Sequence, residues 1–307
     1  MSTISQVAQP VRYRRKTLTW LTGEQGILRP IPFVAPWLIL FGYFLLYPIG
    51  YGFYISFYKW NLLTPMQYVG LMNYRRLLDD TLFQKSLHQT LFFVAVCAPL
   101  AILLPLLLAV LIDSPVLGRT FFRSAFTTPL MMSVTTVSLL WVWFLNPVFG
   151  LVNHYLDLLG LPQQHWLNQS PWSLVAVALA TVWWTTGFNM VLFLAGLQEV
   201  PEDLYDAAKV DGAGVWSLFW NITLPSIRAT LLFVSATTII ASFRVFGQIY
   251  VMTGGGPADA SRTIGYHIYV TGFQNFRMGS ASAVAWVLFL LVAVFTLIQF
   301  WLLREPD

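Results

Sequence analysis

Charge is what this sequence has least of. Of 307 residues only 10% are Asp, Glu, Lys or Arg, while 57% are hydrophobic. Soluble domains carry about a quarter charged residues, and a water-soluble fold has no means of hiding so much apolar surface. The chain is therefore expected to be an all-α, polytopic membrane protein. The single cysteine, Cys97, excludes an internal disulfide and any multi-cysteine metal site; inside an apolar run it reads as a small buried side chain. No lysine follows a glycine, so a Gly-Lys-Ser/Thr phosphate loop is missing and ATP is not held in that manner. His88, His154, His165 and His267 show no His-Glu-x-x-His or paired-ligand spacing, and no Gly-x-Ser-x-Gly sequence occurs. Metal and hydrolytic chemistry are thus unsupported, and the chain is expected to be non-catalytic. Internal repeats and low-complexity segments are missing too, and a net charge of +4 that is dispersed along the chain points to no nucleic acid.

What is present is a series of charge-free intervals: 30–58, 86–112, 124–156, 158–198 and 278–303. A span needs about 20 apolar residues. Asn146-Pro147 breaks the third interval near its end, and the fourth opens with the polar stretch 162–171. A further span, interrupted by Arg244, follows Ile227. Six membrane helices are predicted, at about 32–57, 86–112, 122–145, 172–196, 227–252 and 279–303, preceded by a tail over 1–30 and all within one transmembrane domain, 31–307. The first span follows Arg12, Arg14, Arg15, Lys16 and Arg29. Its apolar region is longer than the 7–15 residues of a secretory signal and no small-x-small cleavage site follows, so it reads as retained. With the tail inside, Arg119, Arg123, Lys209, Arg228 and Arg304 join those five on the cytoplasmic side; Lys59, Arg75, Arg76, Lys85, Arg262 and Arg277 lie outside. The inside excess puts both termini and the 197–226 loop in the cytoplasm.

That loop is a polar island between two apolar runs. Pro201 suits the first position of a helix, and Glu202 and Asp203 follow in the turn where the helix dipole favours acids. Leu204, Ala207, Ala208 and Asp211 then recur at i, i+3, i+4 and i+7, giving one small-sided face that another surface can approach closely. Gly212 and Gly214 are expected to end the helix. A second amphipathic turn should follow, with Trp216, Phe219 and Trp220 on one face, before Pro225 opens the next span. Spacing alone leaves open an interfacial helix pair lying on lipid.

The segment Leu204-Tyr205-Asp206-Ala207-Ala208-x-x-Asp211-Gly212-Ala213, followed by Ile222-x-Leu224-Pro225, resembles the EAA loop of the permease subunits of binding-protein-dependent ABC importers. Asp206 stands where Glu is commoner. The form of the motif is similar to that of the carbohydrate-uptake branch, which includes maltose and glycerol-phosphate permeases. Tyr68-Val69-Gly70-Leu71-x-Asn73-Tyr74 resembles that branch's first external loop, and Thr253-Gly254-Gly255-Gly256-Pro257 the turn after its fifth span. The resemblance covers about 33–303. It implies the type I ABC importer transmembrane fold in a bacterial or archaeal cytoplasmic (inner) membrane. It also implies a second homologous permease, two ATPase subunits carrying ATP and Mg, an extracytoplasmic solute-binding protein, and a sugar or related solute. Asp206, Ala207, Ala208 and Gly212 take the coupling role by this resemblance, with Leu204, Asp211 and Ala213 beside them in the motif.

Energy must then enter through a partner or from an ion gradient. Gradient-driven carriers usually place carboxylates within the bilayer, and none falls in the six predicted spans. The alternative of a self-contained carrier or channel is correspondingly weakened. Arg244 is the one charge within a span, roughly 25 Å along its helix at 1.5 Å per residue. It either snorkels to the outer interface or anchors solute with Phe243, Phe246 and Gln248 beside it. Trp183, Trp184 and Asn189 are further pathway candidates, the tryptophans because an aromatic face suits the apolar face of a sugar ring; most of the 13 tryptophans must serve as belts or packing.

Overall fold

The computed structural model describes residues 31–113 and 118–303; the 1–30 tail and Arg304 of the expectations above lie outside them. The chain divides into two units after Tyr54. In the first, α1 (Ile31–Phe41), a π-helical turn (Gly42–Leu46) and α2 (Tyr47–Ser56) form one apolar rod. Rings spaced three or four residues apart stack along one face: Trp37 on Phe41 at 5.0 Å, then Tyr43, Tyr47, Tyr51 and Tyr54 in succession at 5.8–6.2 Å.

The second unit begins with a two-stranded ribbon, β1 (Tyr58–Lys59) against β2 (Gln67–Tyr68), followed by α3 (Met72–Asp79). Asn73, buried, donates its amide to the carbonyls of Ser56 and Tyr58 at 2.8 and 2.9 Å and fastens this loop. A Cβ at Gly279 would lie 1.8 Å from the Tyr58 carbonyl oxygen, so only glycine lets the last helix pass the ribbon. Two long helices make the frame: α4 (Thr81–Asp113) and α8 (Trp172–Gln198), which pack along their lengths. Ala101 and Ala109 on α4 and Ala176, Ala178 and Ala180 on α8 are buried; such small side chains let membrane helices approach closely where lipid supplies no hydrophobic drive.

Between them run α5 (Arg119–Thr127), a 3₁₀ turn (Thr128–Met131), α6 (Val134–Phe144) and α7 (Leu151–Leu158). The sequence predicts one span at about 122–145, and within it the chain bends by 104° between Met131 and Val134. Pro129 lacks the N–H that would continue the helix, and Ser133 caps the next one by accepting from the Thr136 amide at 3.2 Å. Gly187 permits this bend, since a Cβ there would meet the Phe126 carbonyl oxygen at 2.2 Å.

After α8 come α9 (Glu202–Val210), α10 (Val215–Leu218), a π turn (Phe219–Thr223), α11 (Leu224–Ser226) and α12 (Arg228–Phe243). The expected span at 227–252 is also broken. α12 stops at Phe243, and α13 (Gly247–Met252) starts afresh beyond Arg244. The chain then turns through α14 (Ile264–Tyr269) and a π turn (Val270–Gln274) into α15 (Met278–Leu303). Four helices are long and apolar enough to cross a membrane among the described residues, or up to six if each of two bent pairs is one span. The 253–277 segment, whose Arg262 and Arg277 are expected on the outer side, is packed into the unit: Ser261, Thr263, Ile264 and His267 are all buried.

Candidate functional site

α9 has no buried residue over Glu202–Val210. It starts one residue later than predicted: Pro201 is extended (φ −61°, ψ 131°) and caps the helix. Glu202 and Asp203 occupy the first turn and Lys209 the last, the charge order the helix dipole favours by about 0.3–1 kcal/mol each. The Asp206–Lys209 pair, 3.0 Å apart and exposed, adds at most about 1 kcal/mol. The Ala213 amide donates to the Ala208 carbonyl and the Gly212 amide to that of Lys209. That double closure needs a left-handed residue, and Gly212 supplies it at φ +82°. Gly214 belongs to the following turn, where it caps α10.

A tether holds α9 to the returning chain. The half-buried Tyr205 places its hydroxyl 3.1 Å from Thr223 Oγ1, which also lies 3.3 Å from the Leu218 carbonyl. The carbonyl can only accept, so the threonine proton goes there and Tyr205 is the donor. The expected second amphipathic face does not form as a unit. Through the π turn, Phe219 packs on the cluster around Phe193 and Ile227, while Trp216 and Trp220 remain exposed. Leu204, Val210, Val215, Trp216 and Trp220 together make an exposed apolar surface around a helix whose Ala207 is also open, the composition of a docking face.

A cavity of about 590 Å³ lies halfway along α4 and α8. Trp184, Asn189, Arg244, Phe246 and Gln248 line it, with Thr181, Thr185, Phe188, Thr237 and Thr238. Two predicted pathway residues are elsewhere. Phe243 is wholly buried and packs against Phe295 at 5.1 Å, and Trp183 packs edge-on to Trp141 at 6.1 Å. Asn189 faces the cavity, but its amide is committed to the Ala101 carbonyl at 2.7 Å and Thr238 Oγ1 at 3.1 Å. Trp184 likewise gives its indole N–H to the Met132 carbonyl at 3.2 Å. Arg244 caps the end of α12 and opens onto the cavity rather than lying inside a continuous helix.

Sequence reasoning missed the aromatic cluster around Phe246. Its ring lies 5.7 Å from Tyr250 and 5.2 Å from Tyr269, and Tyr269 lies 5.9 Å from Phe273. The contributors are spread over two helices and a π turn, so no local spacing announces them. It also missed the polar knot of 259–267. Arg262 pairs with Asp259 at 3.0 Å and donates its Nε–H to His267 Nδ1 at 3.2 Å. Burial, and then the Arg262 charge, push the His267 pKa down to about 4; an accepting Nδ1 requires the neutral imidazole.

Next to that knot a groove of about 430 Å³ is lined by Lys59, Arg76 and Arg277 with the amides of Asn61, Gln67, Asn73 and Asn275, and by no carboxylate. Asp80, beside the groove, caps α4 by accepting from the Leu82 and Phe83 amides at 2.9 and 3.2 Å.

The sn-glycerol-3-phosphate transport system permease protein UgpA of Yersinia enterocolitica is 34% identical over 88% of this chain and 92% of its own length. The sulfoquinovosyl glycerol transport system permease protein SmoG of Agrobacterium fabrum is 30% identical over 94% of both. The lactose transport system permease protein LacF of Rhizobium radiobacter is 33% identical over 89% of this chain and 93% of its own. Among solved structures, a chain of a bacterial alginate ABC transporter, crystallised with an alginate pentasaccharide-bound periplasmic protein, superposes with a TM-score of 0.79. It shares 25% identity over 89% of this chain and 93% of that one. The family model of the binding-protein-dependent transport system inner membrane component matches residues 68–305, and the chain belongs to that family.

Proposed function

We propose that the chain is one of two homologous permease subunits of an ATP-driven importer for a sugar or a related polyol or glycerol phosphate. The two permeases form the translocation path as a heterodimer. Two ATPase subunits hold ATP and Mg and dock on α9 and its flanking apolar surface, on the cytoplasmic side with both termini. An extracytoplasmic solute-binding protein docks at the other end, where the Lys59–Arg76–Arg277 groove opens. The observation that carries this reading is the construction of α9: without a buried residue, yet closed at one end by Gly212 and tied along its length by Tyr205. A segment so built passes a push from outside to α12 instead of folding away. ATP binding would draw the ATPases together and swing α9, and Tyr205 would hand that motion to Thr223 and the start of α12.

The cavity suits such a cargo. Trp184, Phe188 and Phe246 offer ring faces, while threonine hydroxyls that donate back to their own helices leave lone pairs for sugar hydroxyls. The relatives are named for glycerol phosphate, sulfoquinovosyl glycerol and lactose, so sugars and small polyol derivatives are the class to expect. The test uses the chain's buried single cysteine as an advantage. Ala207→Cys adds an exposed thiol on α9, and a short bifunctional reagent should link it to an ATPase subunit in the assembled complex. No such product with an otherwise intact complex would overturn the reading.

A further inference from the structure

The cavity's hydrogen-bonding inventory is lopsided. The Trp184 indole N–H and the Asn189 amide are spent on carbonyls or hydroxyls of the protein. Thr181, Thr185 and Thr237 turn their protons onto the carbonyls of Val177, Thr181 and Phe233 at 2.8–2.9 Å. What they leave facing the cavity is acceptors. Three side chains remain as donors: among the described residues, the side chains of Arg244 and Gln248 have no hydrogen-bond partner and Arg244 has no ion pair, while the Thr238 hydroxyl accepts from Asn189 and keeps its own proton. No carboxylate lines the cavity.

Arginine is a specific choice for such a place. A guanidinium carries five donors, holds its charge at every physiological pH, and pairs with oxyanions through a planar fork. Arg244 is exposed, so its charge is kept without a large desolvation cost, and the carbonyl end of α12 favours a cation there by about 0.3–1 kcal/mol. A neutral donor such as a second glutamine would serve a neutral sugar equally well. Thr237 and Ala241 on α12 precede Arg244 by seven and three residues and also line the cavity, so the guanidinium at the end of α12 opens on the helix's cavity-lining side.

We propose that Arg244 is the counter-charge for an oxyanion on the cargo, so that this cavity takes a polyhydroxylated solute bearing a phosphate, sulfonate or carboxylate in preference to a neutral sugar. The threonine acceptors take the solute's hydroxyl protons, Gln248 reads a further polar group, and Arg244 holds the anionic end. This rests on the importer reading above.

The probe is the solute released on denaturing the cognate binding protein, identified by mass spectrometry, and then its uptake into proteoliposomes carrying the complete complex. The expected solute bears an oxyanion; a neutral sugar that the complex carries overturns the inference. Arg244→Gln should slow uptake about tenfold or more, the scale of one lost charge-assisted contact, and Arg244→Lys should retain more than the glutamine variant. Wild-type uptake by Arg244→Gln overturns it. Should that variant fail to assemble, Ala241→Glu leaves Arg244 in place and supplies a carboxylate three residues, or about one helical turn, away. It should block the anion by self-pairing, and undiminished uptake overturns the proposal. Uptake that needs no ATPase subunits would instead sink the importer reading, so the two failures are distinguishable.

Discussion

Asn189 donates its side-chain amide to the Ala101 carbonyl at 2.7 Å, across 88 residues of sequence. The geometry has a local cause. Residue 105, whose N–H would complete the helical bond to Ala101, is a proline inside α4. Pro105 leaves that carbonyl without a donor, and in an apolar interior an unsatisfied carbonyl is expensive. Asn189 supplies the missing N–H and, through Thr238, binds α12 to the same point.

Asn189→Leu should therefore destabilise the protein by about 1–3 kcal/mol, the cost of leaving a buried acceptor unpaired. Pro105→Ala in that background should recover much of the loss by restoring a helical donor. Apparent melting temperatures in detergent check this. Equal losses from both substitutions, with no rescue in the double variant, would show that Asn189 serves solute and not the helix.

At Gly212, φ of +82° costs an ordinary L-residue roughly 1–2 kcal/mol. Gly212→Val should open the closure of α9, and hydrogen exchange at the Gly212 and Ala213 amides should accelerate by about tenfold or more. Gly212→Asn, which tolerates the left-handed region, should show a smaller effect.

His267 gives the protein an acid-side weakness. Its pKa falls from the ordinary 6.5 to about 4 on folding, so between those values the unfolded chain binds a proton that the folded one refuses. Stability is full above about pH 6.5 and declines as pH drops toward 4. The groups around the ring set the sign, since Arg262 and Arg277 oppose the proton while Asp80 and Asp259 favour it. His267→Gln should flatten the pH profile of the apparent melting temperature over that window. A parallel profile would show that His267 does not titrate there.

Tyr205→Phe removes the one proton that joins α9 to Thr223. The tie is worth about 0.5–1.5 kcal/mol, small for stability but placed where motion must pass. Solute carried per ATP hydrolysed should fall, while the complex still assembles. An unchanged ratio would free Tyr205 from the transmission path.

Much of this was legible because lipid imposes a simple rule. Charge-free intervals of span length located α4, α8 and α15 within a few residues, and the spacing of Leu204, Ala207 and Ala208 located α9. Faces were not legible. α8 is apolar all round, so nothing in its sequence tells Trp184 on the cavity from Trp183 on Trp141. The bend at Pro129 and Ser133 was hidden because Thr, Pro and Ser are tolerated in membrane helices once neighbouring groups satisfy the freed backbone. The 253–277 segment looked like a loop because Ser261, Arg262, Thr263 and His267 are polar. Their partners, Thr253, Asp259, Val245 and one another, lie too far along the chain, or are too dependent on the fold, to be read from composition. The charge of Arg244 was visible, but only the cavity showed that its neighbours are acceptors.

The most direct test of the account is ATP hydrolysis by the assembled complex, measured with and without loaded binding protein, for wild type and Ala207→Trp. A bulky ring on the small-sided face of α9 should abolish most of the stimulation by loaded binding protein while the subunits still co-purify. Full stimulation with tryptophan at 207, or solute uptake by this chain and its permease partner without ATPase subunits, would contradict the claim that force enters through α9.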